Sequence, residues 1–326
     1  MSRSGENKPE GVTFRKVAEL WLADIRTSVS EATYTRYHRV VEKYLFDTFD
    51  EEYVHNIDHF KINAYTEYLL TSGGRRGEGL SPKSVTDILC VLKPIIKFGN
   101  SNGYRFGDTY DIRLPKRQKS EVQTIDPDAR VLLEQVLLIA EDPTAIGILL
   151  SLFTGIRVGE LCGLRWGDID PDECTLTISR TVERIANLSE DAMQLTKVIM
   201  TDTSARVIPL PGFLSEHLEK FRSLDQEYII SASLMPTEPC AFYHRYKAFM
   251  RIHGIGDYPF IALRHTFAMR CLEQGFEIET LSEILGHADV ATTVALYARK
   301  SPELYEIEKK RSAMEKLAPV CTETKS

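Results

Sequence analysis

Between residues 13 and 104, apolar side chains recur at spacings of three and four in four separate stripes, a pattern that predicts four helices. The stripes are Phe14, Val17, Leu20, Trp21 and Ile25; Tyr34, Tyr37, Val41, Tyr44 and Leu45; Ile62, Tyr65, Tyr68 and Leu69; and Val85, Ile88, Leu89, Leu92, Ile95 and Ile96. Thr13, Ser30, Asp58 and Ser81 stand where a side-chain oxygen caps a helix start, and Pro82 takes the first helical position. Gly73-Gly74 and Asn102-Gly103 supply stops, while Pro94 removes one backbone donor and predicts a kink. A helical domain over residues 12–105 follows.

The periodicity then lapses. Residues 106–124 hold Gly107, Pro115 and the cluster Arg113, Lys116, Arg117 and Lys119, and read as a basic linker, either a solvated charge run or a strap that tracks a phosphate backbone. A second domain spans residues 125–320. Asp126-Pro127 is a further cap and proline pair before Val131, Leu132, Val136, Leu137 and Ile139. A helix over Ile146 to Phe153 ends at Thr154-Gly155, and a short one runs from Arg157 to Leu164. Strands are predicted over Thr175–Val182, Leu195–Met200 and Arg206–Leu210, and helices over Ala262–Gln274, Ile278–Leu285 and Val290–Arg299. Pro302 to Leu317 reads as an amphipathic tail helix, suited either to a neighbouring protomer or to its own domain. The fold class is mainly α with a small antiparallel β-sheet.

Composition agrees with two globular domains: 326 residues, 43% hydrophobic and 27% charged. The net charge of −7 argues against a uniformly basic nucleic-acid coat, yet residues 1–120 carry a net +3 and the remainder −10, so one face can still be locally basic. The six cysteines show no CxxC pairing and read as reduced thiols, and neither an apolar leader nor a membrane-length run occurs. A cytoplasmic protein is expected.

The chemistry concentrates in the second half. On a helix starting at Arg157, Glu160, Leu161 and Leu164 follow at i+3, i+4 and i+7, which points the arginine inward; its plain reading is an ion pair with Glu160. Arg264 repeats the situation before Phe267, Ala268 and Cys271, with His265 expected to point elsewhere around the helix. Two converging guanidinium groups suit a phosphodiester, each fork matching a pair of oxygens. His287 lies just past a helix stop, and Tyr297 ten residues on; taken singly, each would more often be structural.

Together, Thr154-Gly155-Ile156-Arg157-Val158-Gly159-Glu160-Leu161, Leu263-Arg264-His265-Thr266-Phe267-Ala268, Leu285-Gly286-His287 and Thr292-Thr293 followed by Tyr297 resemble the signature of the tyrosine recombinases, the phage integrase family. The resemblance covers essentially the whole chain and implies a SAM-like core-binding domain ahead of a mixed α+β catalytic domain. It implies strand exchange on double-stranded DNA without metal or other cofactor, through a 3′-phosphotyrosine link, by a homotetramer on paired sites. On this resemblance Tyr297 is the nucleophile, Arg157 and Arg264 hold the nonbridging oxygens, and His287 supports the same centre. Two positions depart from the family pattern. Met200 stands where a hairpin lysine supplies a proton to the leaving 5′-oxygen, leaving Lys197 as a substitute general acid, and Ile261 stands where a histidine is usual. A second reading is therefore kept open: a catalytically weakened relative that binds DNA as an architectural or regulatory subunit, beside a partner recombinase or an accessory DNA-bending protein. A metallohydrolase is disfavoured, because no HExxH or ligand-spaced cluster occurs.

Overall fold

Ser30, Asp58 and Ser81 each turn a side-chain oxygen onto the backbone N–H three residues ahead, starting three of the helices that the apolar stripes predict. The computed structural model describes residues 11–74, 77–116, 122–186, 193–199 and 205–297. Its contacts divide the chain into two compact units, the first spanning residues 1–120 with 185–194 and the second 121–184 with 195–326.

In the first unit α1 (Phe14–Ile25), α2 (Glu31–Val40), α4 (His59–Thr71) and α5 (Pro82–Ser101) enclose a core containing Phe14, Trp21, Leu45, Phe49, Ile62, Leu89 and Leu92. A π-helical turn, Val41–Leu45, joins α2 to the short α3 (Phe46–Phe49). Thr13 makes no side-chain cap; it bridges to Tyr53, and the Glu52 carbonyl accepts from the Phe14 N–H at 2.8 Å in place of a cap. Pro94 stays within α5 on its exposed side, and the helix continues through it.

The segment read as the start of the linker is tied down. Phe106 is buried in the core, the Asp108 carbonyl accepts from the His59 N–H at 2.7 Å, and the Asn63 side chain bonds Asp111 and Arg113 backbone at 2.9 Å each. Residues 106–113 therefore run along α4 rather than hanging between domains. Arg113 and Lys116 are exposed, Arg113 beside Asp111; Arg117 and Lys119 lie outside the described residues.

The second unit opens with α6 (Pro127–Ile139), α7 (Pro143–Thr154) and α8 (Val158–Gly163). Asp126 precedes the proline as expected but makes no cap, because its carboxylate accepts the Tyr258 hydroxyl instead. The working cap is Asp142, which accepts from the Thr144 and Ala145 N–H groups. Helix α7 is buried around most of its girth, as its nearly unbroken apolar sequence requires. The predicted strand over 175–182 is two strands. β2 (Thr175–Ile178) lies between β1 (Ile169–Asp170) and β5 (Arg206–Pro209) in an antiparallel sheet, with Leu176 opposite Ile208, and after Ser179 the chain changes partners so that β3 (Arg180–Ala186) pairs with β4 (Met193–Ile199).

Helices α9 (Gly212–Glu219) and α10 (Pro239–Ile252) were not anticipated, although Phe242, Tyr246, Phe249 and Met250 are the buried residues of α10 at the required spacing. The chain closes on α11 (Ile261–Glu273), α12 (Ile278–Leu285) and α13 (Val290–Tyr297); the tail helix expected over 302–317 lies outside the described residues. Among the described residues no helix is long and apolar enough to cross a membrane. In a Trp21→Phe background, where Trp166 alone reports the second core, Asp142→Ala is expected to lower stability by about 1 kcal/mol, read as a lower urea midpoint at unchanged slope.

Candidate active site

Gly155 ends α7 in the left-handed conformation, φ 66°, at a point where a Cβ would stand 2.5 Å from Phe267. Two residues later Arg157 occupies the extended cap position of α8, and Glu160 reaches back to its N–H at 3.0 Å. Arg157 is therefore not on the inward helix face that the spacing predicts. The capping box starts the helix one residue later, and the arginine side chain remains 41% exposed. The plain ion pair with Glu160 does form, at 2.8 Å.

Glu160 is 1% exposed and serves two arginines, Arg157 on Oε1 and Arg206 of β5 on Oε2 at 2.9 Å. Burial by itself would raise its carboxyl, but the Arg206 hydrogen bond and charge, followed by the Arg157 amide and charge, hold it below the usual carboxylate value. Arg206 is a site residue that sequence reasoning used only to set the strand register.

The three arginines meet at one helix end. Arg206 Nε donates to the Ile284 carbonyl at 2.6 Å, Arg264 Nη2 to Leu285 at 2.7 Å and Arg157 Nη2 to Gly286 at 3.1 Å. These carbonyls close α12, where the last turn lacks intrahelical donors and carries the negative end of the helix dipole. Gly286 permits the approach: it is left-handed, φ 63°, and a Cβ there would lie 2.7 Å from the Arg206 guanidinium.

Arg264, 3% exposed, also donates to the Gly155 carbonyl at 2.7 Å. Burial, then repulsion from Arg157, lowers its pKa to about 10. Its Nη2 lies 2.9 Å from His287 Nε2, and His287 Nδ1 lies 2.8 Å from the Thr293 hydroxyl. A guanidinium only donates, so Nε2 accepts and the neutral imidazole carries its proton on Nδ1, facing Thr293. Burial, then Arg264, Arg157 and Arg206, lowers the His287 pKa to about 4, which keeps it neutral near pH 7.

Tyr297 is fully buried at the end of α13, and its hydroxyl lies 2.9 Å from His265 Nδ1. The expectation that His265 points away is thus corrected: α13 packs on the side of α11 that His265 faces, so Arg264 and His265 serve one site from adjacent faces. Burial pushes the Tyr297 phenol above its usual pKa, against the pull of Arg264 and Arg157. Ile261, one turn before His265, is 46% exposed. Lys197 belongs to β4, and Met200 lies outside the described residues. No group of three metal-ligating side chains occurs among the described residues.

His287 takes up a proton only near pH 4 when folded but near 6.5 when unfolded, so its contribution is complete above 6.5 and declines as the pH falls toward 4. Glu160, held low when folded, keeps its contribution down to about 4.5 and loses it below. Thermal unfolding of His287→Asn is expected to lose the decline between pH 6.5 and 4.5 that the wild type shows, while both fall below 4.5.

Residues 133–303 match the model of the phage integrase family, and residues 13–70 that of the phage integrase N-terminal SAM-like domain. A tyrosine recombinase XerC-like protein of Caldanaerobacter subterraneus subsp. tengcongensis is 25% identical over 90% of this chain and 81% of its own. The ICEBs1 integrase of Bacillus subtilis is 22% identical over the same shares, 90% and 81%. The fold is shared with the Tn1549 transposon integrase in complex with transposon right end DNA, at TM-score 0.71 and 18% identity over 94% of this chain and 100% of that one. A lambda integrase dimer bound to a COC′ core site follows at TM-score 0.62 and 15% identity, over 87% and 77%. With more than half of its residues under the first of these models, the chain belongs to the phage integrase family.

Proposed function

We propose that the protein is a site-specific DNA recombinase that cuts and rejoins double-stranded DNA through a covalent link to Tyr297. The observation that carries this reading is the gathering of one phenol with Arg264, Arg157 and His287, drawn from separate segments into one electropositive centre. In the proposed step the Tyr297 oxygen attacks a backbone phosphorus, a 3′-phosphotyrosine forms and a 5′-hydroxyl leaves. Arg264 directs three of its five N–H donors at Gly155, Leu285 and His287, which fixes the plane of the guanidinium and leaves donors for a phosphate oxygen. Arg157, partly exposed, takes the second oxygen. His287 acts by accepting from Arg264 and locking its orientation. The leaving oxygen needs a proton that Met200 cannot give, and Lys197 of β4 is the proposed donor.

The exposed Arg113 and Lys116 of the first unit, with Arg117 and Lys119, are proposed to contact the DNA backbone. A homotetramer on paired sites accords with the lambda integrase tetramer bound to a Holliday junction, which shares this fold at TM-score 0.62 and 16% identity. A cytoplasmic setting suits such an activity. Ile261 and Met200 favour a second reading, a weakened relative that binds DNA beside an active partner.

Incubation with nicked duplexes from the source DNA, followed by denaturing electrophoresis, separates the two readings. Wild type is expected to form covalent adducts that vanish in Tyr297→Phe and fall about 10² to 10³-fold in Arg264→Ala. Adducts seen only with Met200→Lys/Ile261→His would establish the second reading.

A further inference from the structure

Attack by a phenol requires that its proton go to an acceptor, and the surroundings of Tyr297 supply few. Arg264 and Arg157 are donors only. His287 has Nε2 engaged by Arg264 and Nδ1 by Thr293. Both carboxylate oxygens of Glu160 are held by arginines. His265 Nδ1, at 2.9 Å from the phenolic oxygen, is the remaining basic atom in reach among the described residues. The rings meet edge to face at 5.7 Å, and His265 is partly exposed whereas Tyr297 is not, so a proton received there has a route toward solvent.

We infer that His265 is the catalytic base of the reaction, accepting the Tyr297 hydroxyl proton on Nδ1 as the phenolic oxygen bonds to phosphorus. The inference rests on the proposed role of Tyr297 as nucleophile. For it to act, the imidazole carries its proton on Nε2 and the hydroxyl donates to Nδ1. The O–P bond to Tyr297 forms, the P–O5′ bond breaks, the phenolic proton moves to His265, and the 5′-oxygen takes a separate proton from Lys197 or water. In rejoining, the 5′-hydroxyl oxygen bonds to phosphorus and gives its proton to Lys197 or water, the P–O bond to Tyr297 breaks, and the imidazolium returns its proton to the departing phenolic oxygen. The charges that act on the phenol are Arg264 on α11 and Arg157 ahead of α8, and both favour phenolate once a base has taken the proton.

The test is single-turnover adduct formation on nicked duplex across pH 5–9, with wild type, His265→Asn and His265→Gln. An amide can hydrogen-bond the phenol but cannot take its proton, so the variants are expected to react about 10² or more slower and to lose the limb on which the wild-type rate falls about tenfold per pH unit of acidification. A 5′-bridging phosphorothiolate, whose thiolate leaves without protonation, is expected to leave that deficit in place. Recovery of the variant rate on the thiolate substrate would make His265 the acid and overturn the inference. So would variants within about threefold of wild type and with its pH profile. DNA binding and unfolding midpoints are measured alongside; if neither variant folds, the wild-type acid limb is compared with the His265 titration followed by NMR, and a mismatch overturns the assignment. Adducts that persist in Tyr297→Phe, or that wild type never forms, would instead overturn the role of Tyr297 itself.

Discussion

The carboxyl end of α12 holds the site together. Three successive carbonyls, those of Ile284, Leu285 and Gly286, each accept from a different arginine, and those arginines come from β5, α11 and the entry to α8. A helix end offers orphan acceptors and a partial negative charge at no cost in side chains. It can therefore stabilise several guanidinium groups that would repel one another elsewhere in a protein interior. Glu160 provides a full countercharge to Arg157 and Arg206, and its burial is tolerated because both oxygens are satisfied by cations.

This arrangement leaves more positive than negative charge at the centre, and the excess acts together with burial on the state of its neighbours. His287 cannot hold a proton near neutral pH and so becomes an acceptor that steers Arg264. The phenol of Tyr297 feels two opposing influences, burial that disfavours phenolate and arginines that favour it. The first dominates. In the proposed reaction a phosphate partly neutralises the arginines, so removal of the phenolic proton there needs a base in contact with it.

The helical first unit was legible in the sequence because its stripes and caps are local signals; Ser30, Asp58 and Ser81 perform as their positions suggest. Arg157, Arg264, His287 and Tyr297 were legible as a set only through their resemblance to a family, since each has an ordinary structural explanation alone. The remainder of the site depends on backbone. No side-chain pattern marks the carbonyls of residues 284–286, and Arg206 looks like any strand arginine until α12 is brought against β5. A helical wheel puts His265 on another face because it counts positions on one helix and says nothing of what packs beside it. Asp126 failed as a cap for a similar reason, a nonlocal hydroxyl outcompeting a local N–H.

Gly286 joins two functions that are usually separate in a chain. It terminates α12, fixing where the three carbonyls point, and it begins the turn that carries His287 and leads into α13 with Thr293 and Tyr297. The groups proposed to hold the phosphate and the proposed nucleophile consequently share one residue of backbone. A side chain at residue 286 would press on the Arg206 guanidinium and strain the left-handed turn, so one substitution there disturbs the seating of the arginines and the entry to α13 together.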